Sequence, residues 1–298
     1  MENTIIEKEI MNLKTPYDAW KNSYDFKPNG NNISLKGYSI AGKSTGFFIP
    51  QLKFMFDAGI GSLFNPKHIF ITHLHSDHTQ ALPQLLTGIS TKPNVFIPKN
   101  MSKYIIDYLL SFEKMTNCDE TLTDEIFKDR FTLIEVENGN EIIINSGKTY
   151  CINIFNTCHC LPSVGYAVFE IKKTIKPEYK NLSKEEKNKM IDDNIDIFIT
   201  TKIPLLVYTG DTTTECYNNE IFNMYKFPLI ITECSFIKEL NKKDLSHLMH
   251  TSIEDIEPFI KSHPETQFVL VHWSERYSKE QIYNNIESKS FINVKIWL

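Results

Sequence analysis

The 298-residue sequence predicts an α/β fold in which helices cover two sheets or one very large one, and three observations point that way. Short β-branched or aromatic runs recur along the chain, helical segments are interspersed among them, and 41% hydrophobic residues suffice for a sizeable core. The runs are Asn32–Ser39, Thr45–Phe56, His68–Thr72, Asn94–Ile97, Phe131–Glu135, Tyr150–Phe155, Tyr166–Glu170, Leu205–Tyr208, Leu229–Thr232 and Phe268–Val271. Helices are expected at Gln80–Ser90, Met101–Phe112, Ser183–Asp192, Thr251–Ser262 and Lys279–Ser288, the fourth opening on Thr251 or Ser252 with Glu254 in its first turn. Residues 1–31 are expected to be an N-terminal extension, because the regular strand pattern begins only after the turn-like Asn29-Gly30-Asn31, and residues 32–298 form one domain.

Charge and cysteine usage narrow the classes of function. A net charge of −5 argues against a protein coated in nucleic acid, although one local patch is basic. In it Lys172, Lys173, Lys176, Lys180, Lys184, Lys187 and Lys189 outnumber Glu178, Glu185 and Glu186; the ordinary reading is a solvated loop and helix. Six cysteines without a CxxC pair are too sparse for a disulfide framework, so a reducing compartment, cytoplasmic or nuclear, is expected. Charged residues interrupt Met1 to Lys14, which leaves no apolar core for secretion, and no stretch approaches a membrane span.

The segment richest in chemistry is Ile69-Phe70-Ile71-Thr72-His73-Leu74-His75-Ser76-Asp77-His78, an apolar strand running into four potential metal ligands. If strand geometry persists, His73 and His75 project to one side, and a turn brings Asp77 and His78 from another. Two imidazoles suit one Zn²⁺, and the aspartate with the third histidine suits a second ion. Two coordination spheres need more ligands, and three later strand ends offer them: His159, Asp211 and His272. Cys158 and Cys160 flank His159, and continued alternation would turn both away from its side, as packing cysteines.

In this order, His73-x-His75-x-Asp77-His78, His159, Asp211 and His272 resemble the metallo-β-lactamase superfamily, which implies a four-layer αββα sandwich. Thr157-x-His159-x-x-Pro162-Ser163-x-Gly165-Tyr166, Thr209-Gly210-Asp211-Thr212, Glu233-Cys234-Ser235-Phe236 and His272-Trp273-Ser274-Glu275-Arg276-Tyr277 look like elements of tRNase Z. Lys36 through Gly42 and Phe56-Asp57-Ala58-Gly59 are similar to the start of its short form. The resemblance covers residue 33 onwards and implies two Zn²⁺, one on His73, His75 and His159, the other on Asp77, His78 and His272, with Asp211 bridging. It implies water as nucleophile and removal of 3′ trailers from tRNA precursors, leaving a 3′-hydroxyl on the tRNA and a 5′-phosphate on the trailer.

For the leaving group the resemblance implies Glu233 with His250, His247 being a nearby spare, and Asp77 stands with them among the catalytic groups. Asp57 is expected to orient a ligating histidine, although an aspartate before Ala-Gly also suits a turn. The lysine-rich stretch, at about residues 171–204, falls where the family carries an arm that grips tRNA, which makes Lys172, Lys173, Lys176 and Lys180 the expected RNA contacts. A homodimer is implied as well. Two readings compete: another hydrolase on the same scaffold (cyclic-nucleotide phosphodiesterase, aryl-sulfate hydrolase or lactonase), or a catalytically silent RNA-binding relative. The first needs neither the Glu233–His250 pair nor the lysines, and the second would be expected to have lost ligands.

Overall fold

A computed structural model of the chain describes residues 16–21, 23–61, 64–87, 92–238 and 249–298. Two seven-stranded sheets face each other, and each is antiparallel in one half and parallel in the other. The first sheet runs β1 (Ser23–Phe26), β2 (Ile33–Ile40), β3 (Ser44–Ile49), β4 (Phe54–Phe56), β5 (His68–Phe70), β6 (Asn94–Pro98) and β7 (Thr132–Val136), parallel from β4 onwards. The second contains β8 (Glu141–Ser146), β9 (Lys148–Asn156), β10 (Val164–Ile175), β11 (Phe198–Tyr208), β12 (Leu229–Glu233), β13 (Gln267–Val271) and β14 (Val294–Ile296), parallel from β11 onwards.

Three apolar layers account for the sandwich. Phe47, Phe54, Phe56 and Phe70 of the first sheet meet Tyr166, Tyr208 and Ile231 of the second. Outside the first sheet, Ile69, Ile71 and Val95 bury the apolar stripe of α3 (Ser102–Asn117), which presents Ile105 and Leu109 one turn apart. Outside the second, Val207, Ile230 and Phe268 cover Ile253, Ile256 and Ile260 of α6 (Ile253–Ser262) and Ile282 and Ile286 of α7 (Lys279–Ser288). Helix α6 begins in a capping box formed by Ser252 with Asp255, one residue beyond the expected Glu254.

Several expectations shift. The sheet starts at Ser23, ahead of the boundary expected at residue 32, because β1 pairs antiparallel with β2 and Trp20 is buried beside Phe64. The single run Thr45–Phe56 is two strands, since the chain reverses through Pro50 and the positive-φ residue Lys53. Strands β1, β8 and β14 were not expected; β8 lies at an edge, and its apolar run is only the triplet Ile142–Ile144, of which Ile144 is buried in the core and Ile143 is exposed. The helix expected to end at Ser90 is seen to Thr87, and residues 88–91 lie outside the described ones.

Strands β10 and β11 outrun their sheet. Both are buried near Tyr166 and Tyr208 and exposed where Lys172 pairs with Thr201 and Lys173 with Thr200. Between them lies α4 (Lys184–Asp192), with a Ser183–Glu186 capping box and no buried residue, so the lysine-rich stretch is a projecting two-stranded arm tipped by a helix. It lies about 30 Å along β10 from the strand's start at Val164.

Candidate metal centre

The polar residues converge because strand direction requires it. Asp57 follows β4, His73 follows β5, His159 follows β9, Asp211 follows β11, Glu233 closes β12 and His272 follows β13, all at carboxyl ends. These strands point the same way, so their ends open on one edge, where α/β sheets place ligands. Strand β5 stops at Phe70, and the chain turns through His75 into the one-turn helix α1 (Ser76–Thr79), which carries Asp77 and His78 inward. Two glycines permit the closeness. A Cβ on Gly59 would meet the Asp77 carbonyl oxygen at 1.7 Å, and Gly210, at φ +64°, would place one 2.5 Å from Thr72 Oγ1.

Two groups of atoms face each other across Asp211. His73 Nε2 and His159 Nε2 lie 3.1 and 3.2 Å from His75 Nδ1, and Asp211 Oδ2 is 3.7 Å from His73 Nε2. In the second group His78 Nε2 and His272 Nε2 are 3.4 Å apart, with Asp77 Oδ2 at 3.7 and 3.3 Å from them. Asp211 reaches this group too, Oδ1 being 3.3 Å from His78 Nε2 and Oδ2 3.4 Å from His272 Nε2. Two donors held at about 2.1 Å on one tetrahedral ion are separated by roughly 3.4 Å, so both groups fit a divalent cation.

The nitrogens turned inward are held from behind. Asp57, wholly buried, accepts from His78 Nδ1 at 2.8 Å, from the Thr72 amide at 2.8 Å and from the Tyr208 hydroxyl at 2.7 Å. Thr72 Oγ1 lies 3.0 Å from both Asp57 oxygens and from His73 Nδ1; with its one proton given to the carboxylate, it accepts from the imidazole. His159 Nδ1 faces the Met249 carbonyl at 3.2 Å, and His272 Nδ1 faces Ser235 Oγ at 3.0 Å. Each arrangement puts an Nε2 lone pair in the centre, as a ligating imidazole requires. Asp57, Met249 and His272 all have left-handed backbones, at φ +54°, +48° and +66°, a strain that surrounding bonds must hold in place.

Burial and charge act in opposite directions here. Burial drives His73, His75 and His159 below the ordinary histidine range. Burial opposes charge on His78 as well, but Asp211 and Asp57 outweigh it and hold the group well above that range. Asp77 and Asp211 resist burial through neighbouring histidines, chiefly His272, and sit low. His78 Nε2 faces Asp211 Oδ1 at 3.3 Å, where a bound cation would supply the positive charge that this carboxylate favours.

Beside the cluster, Glu233 is wholly buried and accepts from His250 Nδ1 at 2.9 Å, the Thr212 amide at 2.6 Å and the Thr251 amide at 3.2 Å. His250 keeps about a seventh of its side chain exposed, at 14%. Burial pulls its pKa down, yet Glu233 and then Asp211 lift it to about 9.

All seven expected ligands, together with Asp57, Glu233 and His250, come to this edge. The lysines do not: Lys172, Lys173, Lys176 and Lys180 are on the arm, and Lys176 faces Asp196 at 3.4 Å. His247 lies outside the described residues. The expectation for Cys160 fails, because β9 ends at Asn156 and alternation no longer applies; its thiol is exposed, with Sγ 3.6 Å from His159 Nε2. Sequence reasoning missed Thr72, Tyr208 and Ser235 as supports. Ser235 and Thr72 stood inside segments already singled out, but nothing in the sequence paired Tyr208 with Asp57, 151 residues away.

Comparison with known proteins agrees with this geometry. The family model described as anti-Pycsar protein Apyc1 matches residues 51–297. The chloroplastic tRNase Z TRZ2 of Arabidopsis thaliana is 27% identical over 266 residues, covering 84% of this chain and 70% of that protein. TRZ1, a tRNase Z of the same plant, is 24% identical over 262 residues, 85% of this chain and 90% of its own. Among solved structures, the metallo-β-lactamase fold protein YhfI from Bacillus subtilis superposes with a TM-score of 0.53 at 13% identity, covering 87% of this chain and 93% of that one.

Proposed function

This chain belongs to the family of the anti-Pycsar protein Apyc1 and is a metal-dependent phosphodiester hydrolase of the metallo-β-lactamase fold, and from that premise we propose that it removes 3′ trailers from tRNA precursors. His250 carries the reading: a partly exposed imidazole, held on Glu233 and lifted by it and Asp211 to a pKa of about 9 without ions, stands beside the convergent nitrogens and oxygens. Hydrolysis that leaves a 5′-phosphate on the trailer breaks the bond from phosphorus to a ribose 3′-oxygen. Such an oxygen is a poor leaving group unless it is protonated as it departs.

His73, His75 and His159 would hold one ion and Asp77, His78 and His272 the other, with Asp211 between them; we take both to be zinc, which suits nitrogen-rich sites. Bound there, the ions supply Lewis acidity toward a phosphoryl oxygen and a nucleophilic water at neutral pH. The protein does the rest. Glu233 fixes His250 through Nδ1, which leaves Nε2 for the substrate; the departing 3′-oxygen takes the His250 proton, and water supplies the phosphate oxygen.

The substrate class rests on the likeness to tRNase Z over most of the chain and on the arm, whose Lys172, Lys173, Lys176 and Lys180 we assign to phosphate contacts. Because the arm projects about 30 Å from the start of β10, a substrate touching both arm and metal edge must be long, or the arm must serve a second copy in a homodimer. Free cysteines at all six positions suit a cytoplasmic or nuclear setting, and no helix among the described residues is long and apolar enough to cross a membrane.

One observation favours a second reading, another hydrolase on the same scaffold such as a cyclic-nucleotide phosphodiesterase: the family model that matches is described by a protein other than tRNase Z. Incubation with a 3′-extended tRNA precursor, alongside cyclic nucleotides, separates the two. A single cut at the trailer junction, giving a 3′-hydroxyl and a 5′-phosphate, supports tRNA processing; turnover of the cyclic nucleotides alone refutes it.

A further inference from the structure

Glu233 has two oxygens and two tasks. Oε1 holds His250 and the Thr212 amide, while Oε2 lies 2.7 Å from Ser235 Oγ and accepts the Thr251 amide. Ser235 is wholly buried, and its hydroxyl has a single proton. Given to the Glu233 carboxylate, that proton leaves the Oγ lone pairs facing His272 Nδ1 at 3.0 Å, so the imidazole must be the donor. Its Nε2 then has a free lone pair, turned toward Asp77 and Asp211.

We propose that Ser235 is a positioning residue that couples the two working parts of this site, joining the carboxylate that holds His250 to the His272 imidazole that faces the second metal position. The inference rests on the metal-dependent reading given above. His272 needs such a support more than its neighbours do. Its backbone is left-handed at φ +66°, so its ring direction is not set by a relaxed strand end. The three residues are also locked in register by the main chain, Cys234 N to Val271 O at 2.8 Å and Ser274 N to Ser235 O at 3.1 Å, so the hydroxyl cannot drift from either partner. Thr72 does the same work between Asp57 and His73, but the histidine that Asp57 binds directly, His78, is itself in the expected ligand set, whereas the Ser235 relay ends on the carboxylate that holds His250.

The test is a zinc titration against a chromogenic chelator, which needs no substrate, on the full chain and three variants. Ser235→Ala is expected to weaken one of two zinc sites by about 10–100-fold and to leave the other unchanged, the usual effect of losing a support behind a ligating histidine. Ser235→Thr, which keeps the hydroxyl, should restore most of the affinity. Cys234→Ala removes a buried neighbour whose thiol packs in the apolar layer and faces the Phe236 carbonyl, and it should bind both ions as the parent does. Wild-type affinity in Ser235→Ala, failure of Ser235→Thr to restore it, or an equal loss in Cys234→Ala overturns the inference while leaving the metal-dependent reading intact. A parent chain that binds no zinc overturns both.

Discussion

Asp57 at the end of β4 and Glu233 at the end of β12 are both wholly buried carboxylates, one in each sheet, and each binds one histidine directly and another through a hydroxyl. Their histidines differ in where they look. Asp57 backs His78, which has no exposed surface and faces the closed centre, whereas Glu233 backs His250, which is 14% exposed at the open side. On the proposed reading, the same chemical device therefore holds a metal ligand in one half and a proton donor in the other. Exposure separates these two, since a proton donor must reach a substrate and His78 is closed off from one.

The largest expected effect removes a ligand from the centre both halves serve. His75→Ala should abolish turnover and bind less zinc per chain, while circular dichroism stays near that of the parent, because a core of three apolar layers does not depend on one ligand. Retained activity would show that His75 is not part of the site.

Next comes the direct contrast between the two carboxylates. Glu233→Gln should lower the cleavage rate by roughly 10²–10⁴, and excess zinc should not restore it, because the loss falls on proton transfer. Asp57→Asn should weaken zinc binding by about 10–100-fold and regain rate at saturating metal. Identical zinc rescue of both variants would collapse the distinction. The pH profile sharpens it further. His250 acts in its protonated form, so the rate should fall as pH rises through its pKa, held up to about 9 without ions and lowered by nearby dications. Removing the Glu233 charge should move that alkaline limb to lower pH, and Asp57→Asn should leave it in place.

The smallest effect belongs to the arm. Replacing Lys172, Lys173 and Lys180 with alanine should raise the apparent KM for precursor tRNA and reduce its salt dependence by about one unit of log–log slope per lysine that contacts phosphate. A chromogenic phosphodiester should be hydrolysed as before. Lys176→Ala should matter less, because its ammonium already faces Asp196. Equal losses on both substrates would point to disrupted folding instead of lost RNA contacts.

The candidate ligands were legible in the sequence because their segments begin where apolar runs stop, and such runs are read over a few residues. His73, His75, Asp77, His78, His159, Asp211 and His272 needed no knowledge of packing to be singled out, only the rule that strand ends on a rigid sheet gather polar groups. Strand β1 was hidden because Ser23–Phe26 is short and half exposed, and Cys160 was misjudged because alternation was carried past the end of β9. What the sequence alone determined, then, was which residues are polar where the apolar strands end. Only tertiary structure decided which nitrogen of each histidine faces inward, because that choice is made by partners brought from elsewhere: Tyr208 of one sheet reaching Asp57 of the other, and Ser235 closing on His272 across parallel strands. Hydrogen-bond partners so far apart in the chain are fixed by how the two sheets pack, and no local spacing records it.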